Sequence, residues 1–310
     1  MKSTNQIALI LLLLTPMNQG SFAQSGIITT YVGPGYPVDG AVAITQAIDQ
    51  PSSVALDGAG GFYVSSEFQN RVYRVTADGR LALVAGSRTA GFGGDGGKAT
   101  SASLSGPKGI ATDSAGNLFI ADTLNNRIRK VTPGGIISTV AGIGPAGFGG
   151  DGGPATSAQL SGPVGITVDP GGNLYIADTS NSRIRKVTPA GIITTVAGSG
   201  TYGYSGDGGL AISAQVSYPN GVAVDTAGNL FIADTPIHRV RKVTPDGVIR
   251  TVAGNGAFGY AGDGRAATSA EMRFPSGLVI DSAGNLIISD TSNDRIRKVT
   301  TDGVINTIAG

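Results

Sequence analysis

The chain repeats itself every 56 residues, and this constrains its fold more than any other feature. The Asp of a glycine-rich loop recurs as Asp39, Asp95, Asp151, Asp207 and Asp263, and an Arg that opens a basic strand recurs as Arg71, Arg127, Arg183, Arg239 and Arg295. Exact repetition on this scale marks a propeller, a solenoid or an array, each built from one supersecondary unit that cannot bury its own apolar surface alone. Residues 147–198 are one complete unit.

Inside that unit the pattern predicts four short strands. Val164–Asp169 alternates small or polar with apolar residues, and Pro170-Gly171-Gly172 turns the chain. Asn173–Thr179 is almost continuously apolar, as expected of a strand covered on both faces. A turn at Ser180-Asn181-Ser182 leads to the alternating strand Arg183–Thr188, and a second turn leads to the β-branched run Ile192–Ala197. Four such strands, A to D, form an antiparallel meander. Helical periodicity of 3.6 is absent and the unit is too long for a β-helix coil, so the expected fold is all-β, a propeller of four-stranded blades.

Between strand D and the next strand A runs a link of about 20 residues. It carries an aromatic three residues before the Asp (Tyr36, Phe92, Phe148, Tyr204, Tyr260), then a small-residue segment such as Pro154–Leu160, where Pro suits the start of one or two helical turns. A link this ordered reads as a packed element. Its expected position, beside the B–C turns, makes that the functional face. The propeller is expected to occupy residues 26–310, in units of about 34–86, 87–142, 143–198, 199–254 and 255–310. Residues 26–33 match strand D without an A, B or C before them. Two arrangements accommodate this: a six-bladed ring cut short at its C-terminus, or a five-bladed ring with a spare strand.

The first 23 residues read as an export signal, with Lys2 as the positive region, Ile7–Leu14 as the apolar core and Ser21-Phe22-Ala23 as a small-residue cleavage site. The apolar run is too short for a membrane span. There is no Cys, which excludes disulfides, thiolate metal sites and a thiol nucleophile. Without the leader the charges balance at 21 basic and 21 acidic residues, so nothing points to nucleic acid or an anionic membrane.

The core Pro-x-Gly…Gly-Asn-Leu-aromatic-Ile-Ala-Asp-Thr-x-Asn-x-Arg-x-Arg-Lys-Val occurs, with small departures, at Pro107–Val131, Pro163–Val187, Pro219–Val243 and Pro275–Val299, and in degraded form at Pro51–Val75. These residues resemble the NHL repeat family. The resemblance covers roughly residues 27–310 and implies a β-propeller, usually six-bladed and mostly used for binding. The linker Gly-Phe-Gly-Gly-Asp-Gly-Gly-Pro-Ala-Thr resembles that of exported bacterial members. Some NHL-like propellers are lyases that need several metal-binding His residues, whereas this chain has only His238.

Acidic chemistry is nearly all Asp, 19 against two Glu. Acids repeated in every blade read as turn caps and Arg partners. The structural set is Asp122, Asp178, Asp234 and Asp290 at the end of strand B, with Arg127, Arg183, Arg239 and Arg295 across the B–C turn. A minority reading makes Asp95, Asp151, Asp207 and Asp263 a ring of oxygen ligands for a cation such as calcium. The loop Gly147–Gly152 fits Gly-x-Gly-x-x-Gly formally, but no βαβ unit surrounds it and no dinucleotide site follows.

In a symmetric ring, function is sought where the symmetry breaks. The candidate ligand-binding residues are Lys98, Lys108, Tyr202, Tyr204, Tyr218, His238, Tyr260, Arg265 and Arg273, with Glu67, Arg88, Phe258 and Glu271 as further departures. His238 reads as an exposed turn residue. The expected function is an exported, non-catalytic module that binds a protein, peptide or glycan on the linker and B–C turn face, with no cofactor and no nucleic acid. The alternatives are a hydrolase or lyase with a divalent metal at the central channel, and a structural or adhesive surface repeat.

Overall fold

The computed structural model describes residues 37–310. The leader at 1–23 and the lone D-type segment at 26–33 lie outside the described residues. Five antiparallel sheets follow one another along the chain. The first holds β1 (Pro51–Leu56), β2 (Phe62–Ser66), β3 (Arg71–Val75) and β4 (Leu81–Ala85); the second β5 (Pro107–Thr112), β6 (Leu118–Asp122), β7 (Arg127–Val131) and β8 (Ile137–Ala141). The third holds β9 (Pro163–Val168), β10 (Leu174–Asp178), β11 (Arg183–Val187) and β12 (Ile193–Ala197); the fourth β13 (Gly221–Val224), β14 (Leu230–Asp234), β15 (Arg239–Val243) and β16 (Ile249–Ala253). The fifth adds a two-residue edge strand, β17 (Arg265–Ala266), to β18 (Pro275–Ile280), β19 (Leu286–Asp290), β20 (Arg295–Val299) and β21 (Val304–Ala309). Each is a meander of the kind the repeat predicts, and the described residues form an all-β propeller of five four-stranded blades.

The second strand of each blade is buried on both faces, as its apolar run requires; every residue of Leu174–Asp178 is buried. The cores lie between blades. Phe119, Ala121 and Ile128 of the second blade pack against Ile166, Leu174 and Ile176 of the third, with Ala155, Ala158 and Leu160 of the intervening link wedged between them. Small residues in the link let it enter this seam. Burial of each large aliphatic side chain there stabilises the ring by about 1.5–3 kcal/mol.

The helical part of each link is a single 3-10 turn, such as Ala155–Ser157. Just before it the link pairs with the outer strand of its own blade: Lys98 bridges Ile136, Pro154 bridges Ile192, Leu210 bridges Val248, and β17 pairs with β21. The links therefore cover part of each outer edge, which would otherwise offer unpaired backbone groups to other chains.

Inner strands of successive blades pack side by side from β1 through β5, β9 and β13 to β18. The glycine of the Pro-x-Gly motif makes this approach possible. A Cβ on Gly165 would collide with the Asn220 carbonyl oxygen of the next blade, and one on Gly221 with that of Ser276. Among the described residues, β1 and β18 do not pack in this way.

Candidate functional site

The repeated charges build a scaffold before any site can be sought. Arg129 has no solvent exposure; its Nη2 donates to Asp95 Oδ1 at 2.6 Å and its Nη1 to Asp122 Oδ2 at 3.2 Å. Arg185, Arg241 and Arg297 repeat this with Asp151 and Asp178, Asp207 and Asp234, and Asp263 and Asp290. Of the two arginines on this strand face, the strand-opening one does something else. Arg127 lies directly opposite Asp122 in the ladder, yet its guanidinium donates to the carbonyls of Asn125 and Ile143 and stacks 3.6 Å from the Phe92 ring centroid. Alternation along the strand puts Arg127 and Arg129 on one face, so Phe92 sits under both, with Arg129 4.9 Å away. Arg183 and Arg239 repeat the stacking and the carbonyl contacts, and Arg295 stacks on Tyr260. Pairing falls to the next Arg along because only that side chain reaches both carboxylates from the sheet interior.

This geometry places several of the candidate residues. Asp95, Asp151, Asp207 and Asp263 are each held by their own blade's buried Arg, and no group of three or more His, Cys, Asp or Glu among the described residues could hold a metal ion. Partial burial opposes the Asp95 charge, but hydrogen bonds from Thr139 and Arg129 win and hold its carboxyl below the usual range. Tyr204 and Tyr260 occupy the place of Phe92, under the arginine pair, and their hydroxyls bond Asp207 with Thr251 and Asp263 with Thr307. Lys108 pairs with Glu67 at 3.4 Å across the first and second blades. Lys98 and Arg265 are exposed on the links, apart from these clusters.

The links and the B–C turns do share one face: Asn125 of a B–C turn donates to Gly91 of the link, and Asn181 to Gly147. On this face the repeat breaks most around the fourth blade. Where the second, third and fifth B–C turns carry Asn125, Asn181 and Asn293, the fourth has Ile237. Those three amides each donate to the buried strand-B carboxylate at 2.8 Å. Asp234 lacks that donor and keeps only the Ser217 N–H and Arg241 as hydrogen-bond donors. Burial pushes its carboxyl up to about 7, the Arg241 charge notwithstanding. The Ser217 hydroxyl takes over the missing contact to the Gly203 carbonyl.

His238, expected as an exposed turn residue, is buried at 9% exposure. It occupies the left-handed position that Asn126 and Ser182 hold elsewhere, with φ 56°. Its Nδ1 accepts from the Phe274 N–H at 3.2 Å, as Asn126 Oδ1 accepts from the Gly162 N–H, so the proton sits on Nε2. Burial lowers its pKa, and Arg239 and Arg273 add to the effect against the opposing Asp290 charge. Around it lie Phe274 at 4.8 Å and Phe258 at 5.5 Å, both edge-on, and Arg273 stacks 4.3 Å over Phe258. One blade earlier, Tyr202 and Tyr218 meet at 5.7 Å. Tyr218 and Phe274 have φ 38° and 50°, at a position filled by Gly106 and Gly162 in the second and third blades. The position is left-handed in every described blade, with φ 44° at Gln50, 56° at Gly106 and 53° at Gly162, so the repeat's backbone holds these two aromatics in a region that favours glycine. Sequence reasoning singled out Tyr202, Tyr218, His238 and Arg273 singly; it missed Ile237, which replaces the Asn of both neighbouring units, and Phe274, which stands where the second and third units have Gly.

The family model described as the Teneurin NHL domain matches residues 90–147, 144–205 and 200–261, more than half of the chain. Teneurin-1 of Mus musculus is 31% identical over 234 residues, 66% of this chain but 8% of its own length. The chain thus spans under a tenth of that relative. Among solved structures, the nidogen/laminin complex superposes with a TM-score of 0.56 at 18% identity over 82% of this chain and 77% of that one. Virginiamycin B lyase from Staphylococcus aureus gives 0.55 at 17% over 85% and 71%. At these identities both show the shared fold alone, and it serves a binding complex in one case and a lyase in the other. With a recurring motif, five matching blades and a family model that covers most of them, the chain belongs to the NHL-repeat β-propellers, within the family of the teneurin NHL domain.

Proposed function

We propose that the chain is an exported, non-catalytic binding module that engages a protein or peptide through its linker and B–C turn face. One observation carries this reading: the departures from an otherwise strict repeat converge on two neighbouring notches of that face, at Tyr202 with Tyr218 and at His238, Phe258, Arg273 and Phe274. Scattered substitution would not bring aromatics and Arg, the residue types of binding hot spots, together. The repeated carboxylates support binding over metal chemistry, because each is already satisfied by an arginine. Export rests on the pattern of residues 1–23.

The ring of this reading counts six blades, one more than the described residues form. The failure of β1 and β18 to pack together among the described residues supports that count. Solution scattering that fits a ring closed by five blades would overturn it.

Peptides selected from a display library on the full chain test the binding face. Their binding should fall on substitution of Tyr202, Tyr218 or Phe258 to Ala and persist on substitution of Ser114 or Thr226 in the A–B turns at the opposite end. The reverse pattern would reject the assignment.

A further inference from the structure

The notch between the fourth and fifth blades has a chemistry more specific than exposed aromatic surface. The second and third blades carry Ser105-Gly106 and Ser161-Gly162 at this point; the fifth carries Arg273-Phe274. Each fully buried arginine of the scaffold touches two carboxylates, but among the described residues Arg273 has no carboxylate within ion-pair distance. Its Nε is buried without a hydrogen-bond partner, as in the scaffold arginines, and its guanidinium lies over the Phe258 ring. The nearby Asp290 does not answer it. That carboxylate already accepts from the Asn293 amide, from Arg297 and from the Arg273 backbone N–H. Beside the cation stand Phe258, Phe274 and the neutral His238.

Resting on the linker-face reading, we propose that this notch recognises a carboxylate side chain that neighbours an aromatic residue on a partner peptide. The carboxylate pairs with the Arg273 guanidinium, which is planar, stacked and thereby oriented for a charge-assisted contact. The aromatic neighbour packs edge-on among Phe258, Phe274 and His238. A glycan fits these groups poorly. Sugar hydroxyls need acceptors as well as donors, whereas the phenylalanines offer none, Arg273 only donates, and His238 Nδ1 is already occupied by the Phe274 N–H.

The probe is an acetylated, amidated pentapeptide, Ser-Phe-Glu-Phe-Ser, titrated into the isotopically labelled full chain, with its Gln counterpart alongside. The Glu peptide should shift the backbone amides of residues 236–239, 256–259 and 272–276. The Gln peptide should bind about tenfold more weakly, the effect of losing one charged hydrogen-bonded contact. The double variant R273S/F274G restores the Ser-Gly of the second and third blades, so it keeps a backbone those blades already use; it should abolish the shifts and leave the remaining spectrum intact. Equal affinity for the two peptides, unchanged binding by R273S/F274G, or no shift at these amides would each overturn the proposal. Glucuronate producing the same shifts with comparable affinity would reject the peptide assignment. Shifts confined to another link would reject this notch and keep the linker face; shifts confined to the A–B turns would reject both.

Discussion

Asp122 and Arg129 meet at 3.2 Å with neither side chain reaching solvent, and three further blades bury the same pair. The first blade drops both partners together: Ser66 stands in place of the Asp and Tyr73 in place of the Arg. Joint loss fits electrostatics, since the Asp left there without its Arg would be a buried charge with no counter-ion.

Asp178→Ala should therefore destabilise the chain by about 1–3 kcal/mol, the cost of leaving the buried donors of Arg185, Asn181 and the Ser161 N–H short of an acceptor while Asp151 still answers the Arg185 charge. Asp178→Ser combined with Arg185→Tyr, the solution of the first blade, should cost less than Asp178→Ala alone. Urea denaturation of the full chain measures both. A double variant worse than the single would show that the pair is not what holds this seam.

Asp234 makes stability depend on pH in a stated direction. Its folded pKa, about 7, lies above the ordinary carboxylate value of 3.8, so the folded state favours the protonated form. The stability it contributes is complete below about pH 4 and is lost as pH rises through about 7. Ile237→Asn supplies the amide that Asn125, Asn181 and Asn293 provide elsewhere and should lower that pKa. Melting temperature should then rise relative to the unaltered chain at pH 8 and change little at pH 5. A variant whose gain is the same at both pH values would remove Asp234 as the cause.

Gly165 lies where the third blade meets the fourth, and a Cβ there would meet the backbone of Asn220 and Gly221. At Gly277 the added Cβ meets only the Ser289 side chain of the same blade. Gly165→Ala should cost at least about 1–3 kcal/mol, as overpacking does, and Gly277→Ala less, because a hydroxyl can turn away and a neighbouring strand cannot. Thermal denaturation of the two variants compares them directly. Equal losses would mean that strand contact at the inner seam is not the reason for glycine.

The architecture was legible because a propeller is specified locally and then repeated. Strand length, turn residues and the two-faced burial of the second strand all appear in any one unit, and the 56-residue period sets them in a ring. The aspartates and arginines were legible as scaffold for the same reason. Their pairing was not. Both Arg127 and Arg129 share a strand face with Asp122 within reach in sequence, and only the fold of the link back over its own blade brings Asp95 to Arg129. The burial of His238 was equally hidden, because its neighbours Phe258 and Phe274 both come from the next link, ahead of the fifth blade's first strand. The sequence by itself thus determined what each blade is, since strands and turns depend on near neighbours along the chain. Tertiary structure alone decided which arginine is paired, why burial raises the pKa of Asp234, and where the departures from the repeat gather, because those depend on side chains brought together across blades.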